Sequence, residues 1–418
     1  MEDLYLDIEI DKKRYLEYVK SQRDFMKHIV IFGAGRMAIP LCMLFKENGI
    51  NIDAFIVSDG KKNKEQECGI PIYQIDQFNG DREKTLVMFG VNPRLNNEVE
   101  RVVKENGYKN YILASEYIRY FGKYQEDFFN NPMMEITTKI GCAVNCKFCP
   151  QDVLLRNYFN MGNEEKYLSL DMFKRCVDKL PQNTLVEFAG FTEPFFNDKC
   201  IDMIIYTVAS GRKVNLFTTL RGVNQKILDA LLKIQFEEFV LHVPDEEGYS
   251  NIPITPEYME MLNQLIVAKK PDGRDFVDYA CSQGTIPSQI QKKLESKVRI
   301  FVSLLDRAGN LEDEELFSKR NIRGKIRCEV SRSLNHNVLL PDGRVAICAQ
   351  DYALKHVLGN LADMDYSEIM QNSKKIENLM SDEEDKSIIC RNCSLAHCVE
   401  GKNDKFLGKC SCIKKKYR

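Results

Sequence analysis

Three cysteines packed into one short loop constrain this chain more than anything else in it. Cys142, Cys146 and Cys149 lie in Ile140-Gly-Cys-Ala-Val-Asn-Cys-Lys-Phe-Cys-Pro150, directly after the apolar stretch Met133 to Thr138. A cubane iron–sulfur cluster normally takes four thiolates, one per iron. A tight loop offering three leaves one iron open to another ligand. A zinc loop, or chance crowding in a chain with 15 cysteines, is the alternative. Zinc patterns pair their cysteines differently, which favours the iron–sulfur reading.

The C-x3-C-x2-C spacing, with Phe148 before the last cysteine, resembles the signature loop of radical S-adenosylmethionine (SAM) enzymes. The resemblance implies that SAM occupies the open iron through its amino and carboxylate groups. Electron transfer from a cluster on Cys142, Cys146 and Cys149 then splits SAM into methionine and a 5′-deoxyadenosyl radical, which abstracts hydrogen from substrate. It also implies Phe148 beside the adenine and a one-electron donor such as flavodoxin or ferredoxin.

Composition narrows the setting. With 59 basic and 61 acidic side chains over 418 residues, no global field points to nucleic acid or a membrane surface. No apolar run approaches the roughly 20 residues of a membrane span. The first residues lack the basic segment and apolar core of a signal peptide. Cysteines in x2 spacing in such a chain suggest metal binding in a reducing compartment, so a cytoplasmic location is expected.

The fold class expected is α/β in three parts: a Rossmann-like domain over 1–130, a partial (β/α)6 radical SAM barrel over 131–324, and a small cysteine-rich α+β domain over 325–418. In the first part, strands Ile29–Phe32, Ile52–Val57, Leu86–Gly90 and Tyr111–Leu113 alternate with helices, as in a doubly wound parallel sheet. Gly33 and Gly35 permit a tight turn and close approach of a phosphate to a helix N-terminus. Asp59 falls where an acid meets a ribose hydroxyl. With Gly69-Ile-Pro-Ile72 and Gly90-Val-Asn-Pro93, the segment resembles the N-terminal domain of bacterial sugar O-acyltransferases. That resemblance implies a nucleotide-sugar site or a bare scaffold.

In the second part, strands are expected at Met134–Thr138, Leu185–Ala189, Val214–Thr218, Phe239–Val243, Phe276–Ala280 and Val298–Ser303. Ligands of such folds gather at the C-terminal strand ends, and the three-cysteine loop follows the first strand. Ala189-Gly-Phe-Thr-Glu-Pro194 resembles the family's Gly-Gly-Glu-Pro segment. This implies that Gly190 and Glu193 hold the SAM amino group, although Ala189 replaces a glycine and two residues precede the acid. Thr218 and Thr219 end the third strand within reach of the methionyl carboxylate or ribose. His242 and Asp245 end the fourth; a lone histidine there is more often structural. Arg307 and Asn310 follow the sixth, where a plain polar turn is the alternative. Cys281 follows the fifth strand and is a candidate to return a hydrogen atom to a substrate radical, against a reading as core. The other isolated cysteines, Cys42, Cys68, Cys176 and Cys200, read as small buried hydrophobes.

The third part carries Cys328, Gly343-Arg-Val-Ala-Ile-Cys348, Leu358-Gly-Asn-Leu361, Cys390-x2-Cys393-x4-Cys398, Cys410 and Cys412. It resembles a SPASM domain, which implies auxiliary 4Fe–4S clusters on these seven cysteines. The gap before Cys398 is one residue shorter than usual and a fourth cysteine is missing from that group. Two clusters are expected, with one fully built and one absent or openly coordinated as the variant; a zinc ribbon is the alternative. Together the parts imply oxidation or epimerisation of a sugar, sugar nucleotide or glycan precursor. Maturation of a ribosomal peptide is the second reading, and a non-catalytic iron–sulfur electron carrier the third.

Overall fold

Two parallel sheets organise the molecule, each written in the sequence as short runs of β-branched, aromatic and leucine residues. The computed structural model describes residue 13 and residues 15–113, 131–294 and 299–398, apart from 36, 59–64, 92–94, 163, 303–304, 312–320, 329, 332, 383–384 and 386. The described residues divide into two compact units, one within 1–129 and one over 130–399.

The first unit is a six-stranded sheet of β1 (His28–Phe32), β2 (Ala54–Val57), β3 (Gln66–Glu67), β4 (Ile70–Gln74), β5 (Thr85–Phe89) and β6 (Asn110–Ile112). Its order is β3-β4-β2-β1-β5-β6, and every pair is parallel except the short β3–β4 hairpin. Ile29, Val30 and Ile31 are fully buried because helices cover both faces. That double burial is why this strand reads as a continuous apolar run rather than an alternation. The β3–β4 hairpin was legible only as a Gly-Ile-Pro-Ile motif.

The second unit is built on β7 (Met133–Ile136), β8 (Leu185–Phe188), β9 (Val214–Thr218), β10 (Glu238–His242), β11 (Tyr279–Ser282) and β12 (Arg299–Val302). These six pair in sequence order, all parallel. One face is apolar and sealed: Met134, Ile136, Val186, Phe188, Val214, Leu216, Phe239 and Leu241 pack against the surrounding helices. Those helices start where the sequence supplies a cap. Ser169 accepts from Met172 N at the head of Leu170–Val177, and Thr255 accepts from Tyr258 N ahead of Pro256–Val267, each satisfying an amide with no intrahelical partner. The other face is polar and forms the barrel lumen.

Two features differ from the sequence expectation. The fifth strand begins at Tyr279 rather than Phe276, because Phe276 leaves the strand to pack its ring 4.8 Å from Phe239 and 6.0 Å from Phe236. Cys281 therefore lies inside the strand, not after it. The C-terminal part is also continuous with the barrel: β13 (Ile326–Cys328) pairs with β17 (Ala396–Cys398), whereas β14 (His336–Leu339), β15 (Arg344–Ala346) and β16 (Val357–Asn360) extend the barrel sheet. β14 runs parallel to β7, with Leu339 opposite Ile136. This pairing carries the C-terminal segment to the three-cysteine loop.

Candidate functional site

The loop bearing Cys142, Cys146 and Cys149 leaves the C-terminal end of β7 and is tied down through its backbone. Lys147 N donates to Tyr249 O at 2.6 Å and Asn251 N to Val144 O at 2.9 Å. Arg221 bridges Ala143 O and Asn251 O at 2.8 and 2.9 Å. Asp245 fixes the opposing segment by accepting from Tyr249 N, Ser250 N and the Ser250 hydroxyl. Hydrogen-bond donors already face the sulfurs. Glu193 N lies 3.4 Å from Cys142 Sγ and Gln151 Nε2 3.3 Å from Cys149 Sγ, while the Cys149 thiol itself donates to the Tyr352 hydroxyl at 3.3 Å. Such contacts orient and stabilise thiolate ligands of a metal centre.

Burial and mutual proximity raise the thiols of Cys142 and Cys146, the latter to about 12. Two buried thiols in one neighbourhood disfavour ionisation, and a bound metal would supply positive charge to offset that. Among the described residues no three His, Cys, Asp or Glu converge as they would on a single ion; a cubane binds each thiolate through a separate iron. The donor set fits a three-thiolate cubane.

Glu193 is buried beside this loop. Its carboxylate accepts from the Thr218 hydroxyl at 2.8 Å, from Thr219 N and the Thr219 hydroxyl at 2.6 Å each, and from Phe195 N at 3.3 Å. Both threonine hydroxyls, expected to reach SAM, donate to Glu193, as a buried carboxylate requires. Glu193 is a strut between the β8 and β9 ends. Burial still raises its pKa, against the lowering effect of those bonds. Gly190 has φ +54°, and a Cβ there would fall 2.5 Å from Thr137 Oγ1 and 2.8 Å from Thr137 N, so only glycine lets the segment lie against β7. Phe148 is buried with its ring edge-on to Tyr249 at 5.2 Å.

Register places Glu135, Glu187, Asn215 and Glu238 side by side on the lumen face. Asn215 Nδ2 donates to Glu187 at 3.0 Å and the Tyr279 hydroxyl to Glu238 at 3.4 Å. Nearer the mouth, His242 and Cys281 are register partners. Burial, aided by the Arg307 cation, lowers His242 to about 4, so the ring is neutral. Burial raises Cys281 to about 12, which keeps its S–H intact at neutral pH.

In the C-terminal segment four thiols share one neighbourhood: Cys348 feels Cys390, Cys328 and Cys393, and Cys390 feels Cys328 and Cys393. Leu395 N lies 3.4 Å from Cys393 Sγ. The sequence pattern divides seven cysteines between two clusters. Here four of the seven come together from distant positions. Cys410, Cys412 and Asp59 lie outside the described residues, as does the side chain of Cys398. In the first unit Gly33 has φ +96° with Gly90 O 3.0 Å from where a Cβ would sit, while Gly35 faces open space.

Two groups of thiols mark the second unit, one in the loop after β7 and one made by Cys328, Cys348, Cys390 and Cys393. Residues 328–394 match the SPASM family, an iron–sulfur cluster-binding domain. Through the β14–β7 pair this segment joins the parallel six-stranded sheet that carries the three-cysteine loop. No curated protein matches the chain. Among solved structures it is similar to BtrN in complex with AdoMet and 2-DOIA, at 15% identity and TM-score 0.42, over 63% of this chain and 93% of that one. It is similar to Streptococcus suis SuiB bound to the precursor peptide SuiA, at 11% identity and TM-score 0.40, over 77% and 86%. A third is anSMEcpe with AdoMet and the Cp18Cys peptide, at 13% identity and TM-score 0.36, over 63% and 86%. No helix among the described residues is long and apolar enough to cross a membrane.

Proposed function

We propose that this chain cleaves SAM reductively and abstracts hydrogen from a small, hydroxyl-rich substrate of the sugar or sugar-nucleotide class, oxidising or epimerising it. The observation that carries the reading is the three-thiol loop at the C-terminal end of β7, with Glu193 N and Gln151 Nε2 donating to its sulfurs. Cys142, Cys146 and Cys149 would hold a 4Fe–4S cluster, and when bound it would supply the one-electron chemistry of reductive SAM cleavage. Flavodoxin or ferredoxin serves as the electron donor.

The chain's own residues supply placement. Gly190 and Glu193 shape the ledge for the SAM amino group, the Glu193 strut holding the ledge to β9. Phe148 and Tyr249 wall the adenine side. The polar layer of Glu135, Glu187, Asn215 and Glu238 suits a substrate with several hydroxyls, each able to donate to a carboxylate. Cys281, protonated and beside His242, is placed to return a hydrogen atom from the S–H. Cys328, Cys348, Cys390 and Cys393 hold one auxiliary cluster. The N-terminal sheet, with Gly33 at the β1 end, is the candidate site for a nucleotide sugar.

The test is anaerobic reconstitution with iron and sulfide, then dithionite and SAM, with chromatography for 5′-deoxyadenosine. Product that vanishes in a Cys142→Ala/Cys146→Ala/Cys149→Ala variant supports the reading. A fully reduced cluster that yields none, with or without candidate sugars, would leave an electron carrier. Yield stimulated by a peptide and not by sugars would transfer the chain to peptide maturation.

A further inference from the structure

Arg307 stands out among charged side chains outside the cysteine loops. It sits in Asp306–Asn310, after β12, where Arg307, Ala308 and Gly309 have φ of +49°, +53° and +77°. Two successive non-glycine residues in the left-handed region persist only where the surroundings over-determine them. Asp306 does so: its carboxylate accepts from Ala308 N and from Ser394 N, both at 3.2 Å. Ser394 adjoins Cys393, so the turn is fastened to the auxiliary-cluster segment. Asn310 closes it with a 2.7 Å bond from Nδ2 to Arg307 O.

The guanidinium leaves this turn toward the other centre. Its Cζ lies 5.6 Å from the ring centre of Tyr352, and it faces Cys146, Cys149 and Glu135. Its Nε is buried without a hydrogen-bond partner, and Arg307 makes no ion pair among the described residues. A cation withdrawn from water needs compensating negative charge nearby. Tyr352, held edge-on against Phe191 at 4.7 Å, puts its hydroxyl 3.3 Å from Cys149 Sγ. Three thiolates on a 4Fe–4S cluster leave a net negative centre, and one-electron reduction adds a further negative charge. A fixed cation, and a hydroxyl within 3.3 Å that donates to Cys149 Sγ once that sulfur is a thiolate, both favour the reduced form.

We propose that Arg307 and Tyr352 form a positioning pair that raises the reduction potential of the centre on Cys142, Cys146 and Cys149, so that the SPASM segment tunes a cluster it does not ligate. This rests on the cluster assignment above. The experiment is an EPR-monitored redox titration of the reconstituted full chain. The signal that changes on adding SAM reports the first centre, and the auxiliary signal serves as internal reference. Arg307→Gln and Tyr352→Phe are each expected to move the SAM-responsive midpoint to more negative potential. Arg307→Lys is expected to keep it near wild type, and the auxiliary midpoint to stay fixed in all three. Unmoved midpoints in Arg307→Gln and Tyr352→Phe would overturn the proposal. So would equal shifts for the lysine and glutamine variants, or both signals moving together, since either outcome signifies packing rather than charge. Absence of any SAM-responsive signal in the unmodified chain would instead overturn the cluster assignment beneath it.

Discussion

Gly190→Ala tests whether the segment after β8 must lie against β7 for the barrel mouth to form. An alanine there adopts φ +54° and drives its Cβ to 2.5 Å from Thr137 Oγ1, 2.8 Å from Thr137 N and 2.9 Å from the Ile136 carbonyl carbon. The left-handed conformation costs about 1–2 kcal/mol for a residue with a Cβ. Two of the three close atoms are backbone and cannot swing away, so overpacking adds about 1–3 kcal/mol. With a central total of about 3 kcal/mol and about 2–4 °C per kcal/mol for a body of this size, the melting temperature falls by roughly 10 °C. Gly273→Ala is the matched control, because Gly273 has φ +86° but open space where its Cβ would sit. It carries the conformational cost alone, about 1–2 kcal/mol. Thermal unfolding of the reconstituted proteins, with iron content measured alongside, decides the matter. Gly190→Ala melting no lower than Gly273→Ala would refute the close-approach argument.

Cys281→Ala is expected to leave 5′-deoxyadenosine formation intact while abolishing epimer formation; unchanged turnover would remove Cys281 from the mechanism. Cys390→Ser/Cys393→Ser is expected to lose one cluster's iron while SAM cleavage by the remaining centre persists; unchanged iron content would overturn the four-thiol assignment. His242 is half-buried, and desolvation lowers its pKa from 6.5 to about 4. The unfolded chain therefore binds more protons across that interval, and stability contributed by neutral His242 is present above pH 6.5 and lost as pH falls toward 4. His242→Gln is expected to flatten the pH dependence of urea unfolding between pH 4 and 6.5, and an unaltered slope would contradict it.

Much of the architecture was legible because its signals are local. Val214–Thr218 matches its strand end to end, and the first barrel strand, the cysteine loop and the helix after Ser169 follow one another in the expected order. The fifth strand slipped because Tyr279–Ser282 and the stretch before it are similarly apolar. Only the ring packing of Phe276 against Phe239 decides which enters the sheet. Thr218 and Thr219 stand at the expected strand end, but nothing in the chain order shows that both hydroxyls donate to Glu193.

The sequence by itself determined what short spacing can determine: three thiols presented from one loop, a C-x2-C pair, and two runs of alternating strands and helices. Tertiary structure decided everything that depends on register between distant segments. Pairing of β14 with β7 brings the Tyr352 hydroxyl to Cys149 across 203 positions. Tertiary folding likewise gathers Cys328 and Cys348 with Cys390 and Cys393, and fastens the Arg307 turn to Ser394 through Asp306. Spacing within a loop is limited by the reach of a few bonds, so it survives in the sequence as a motif. Contacts across a sheet depend on which strands meet, and that is settled only when the apolar face of the barrel is buried.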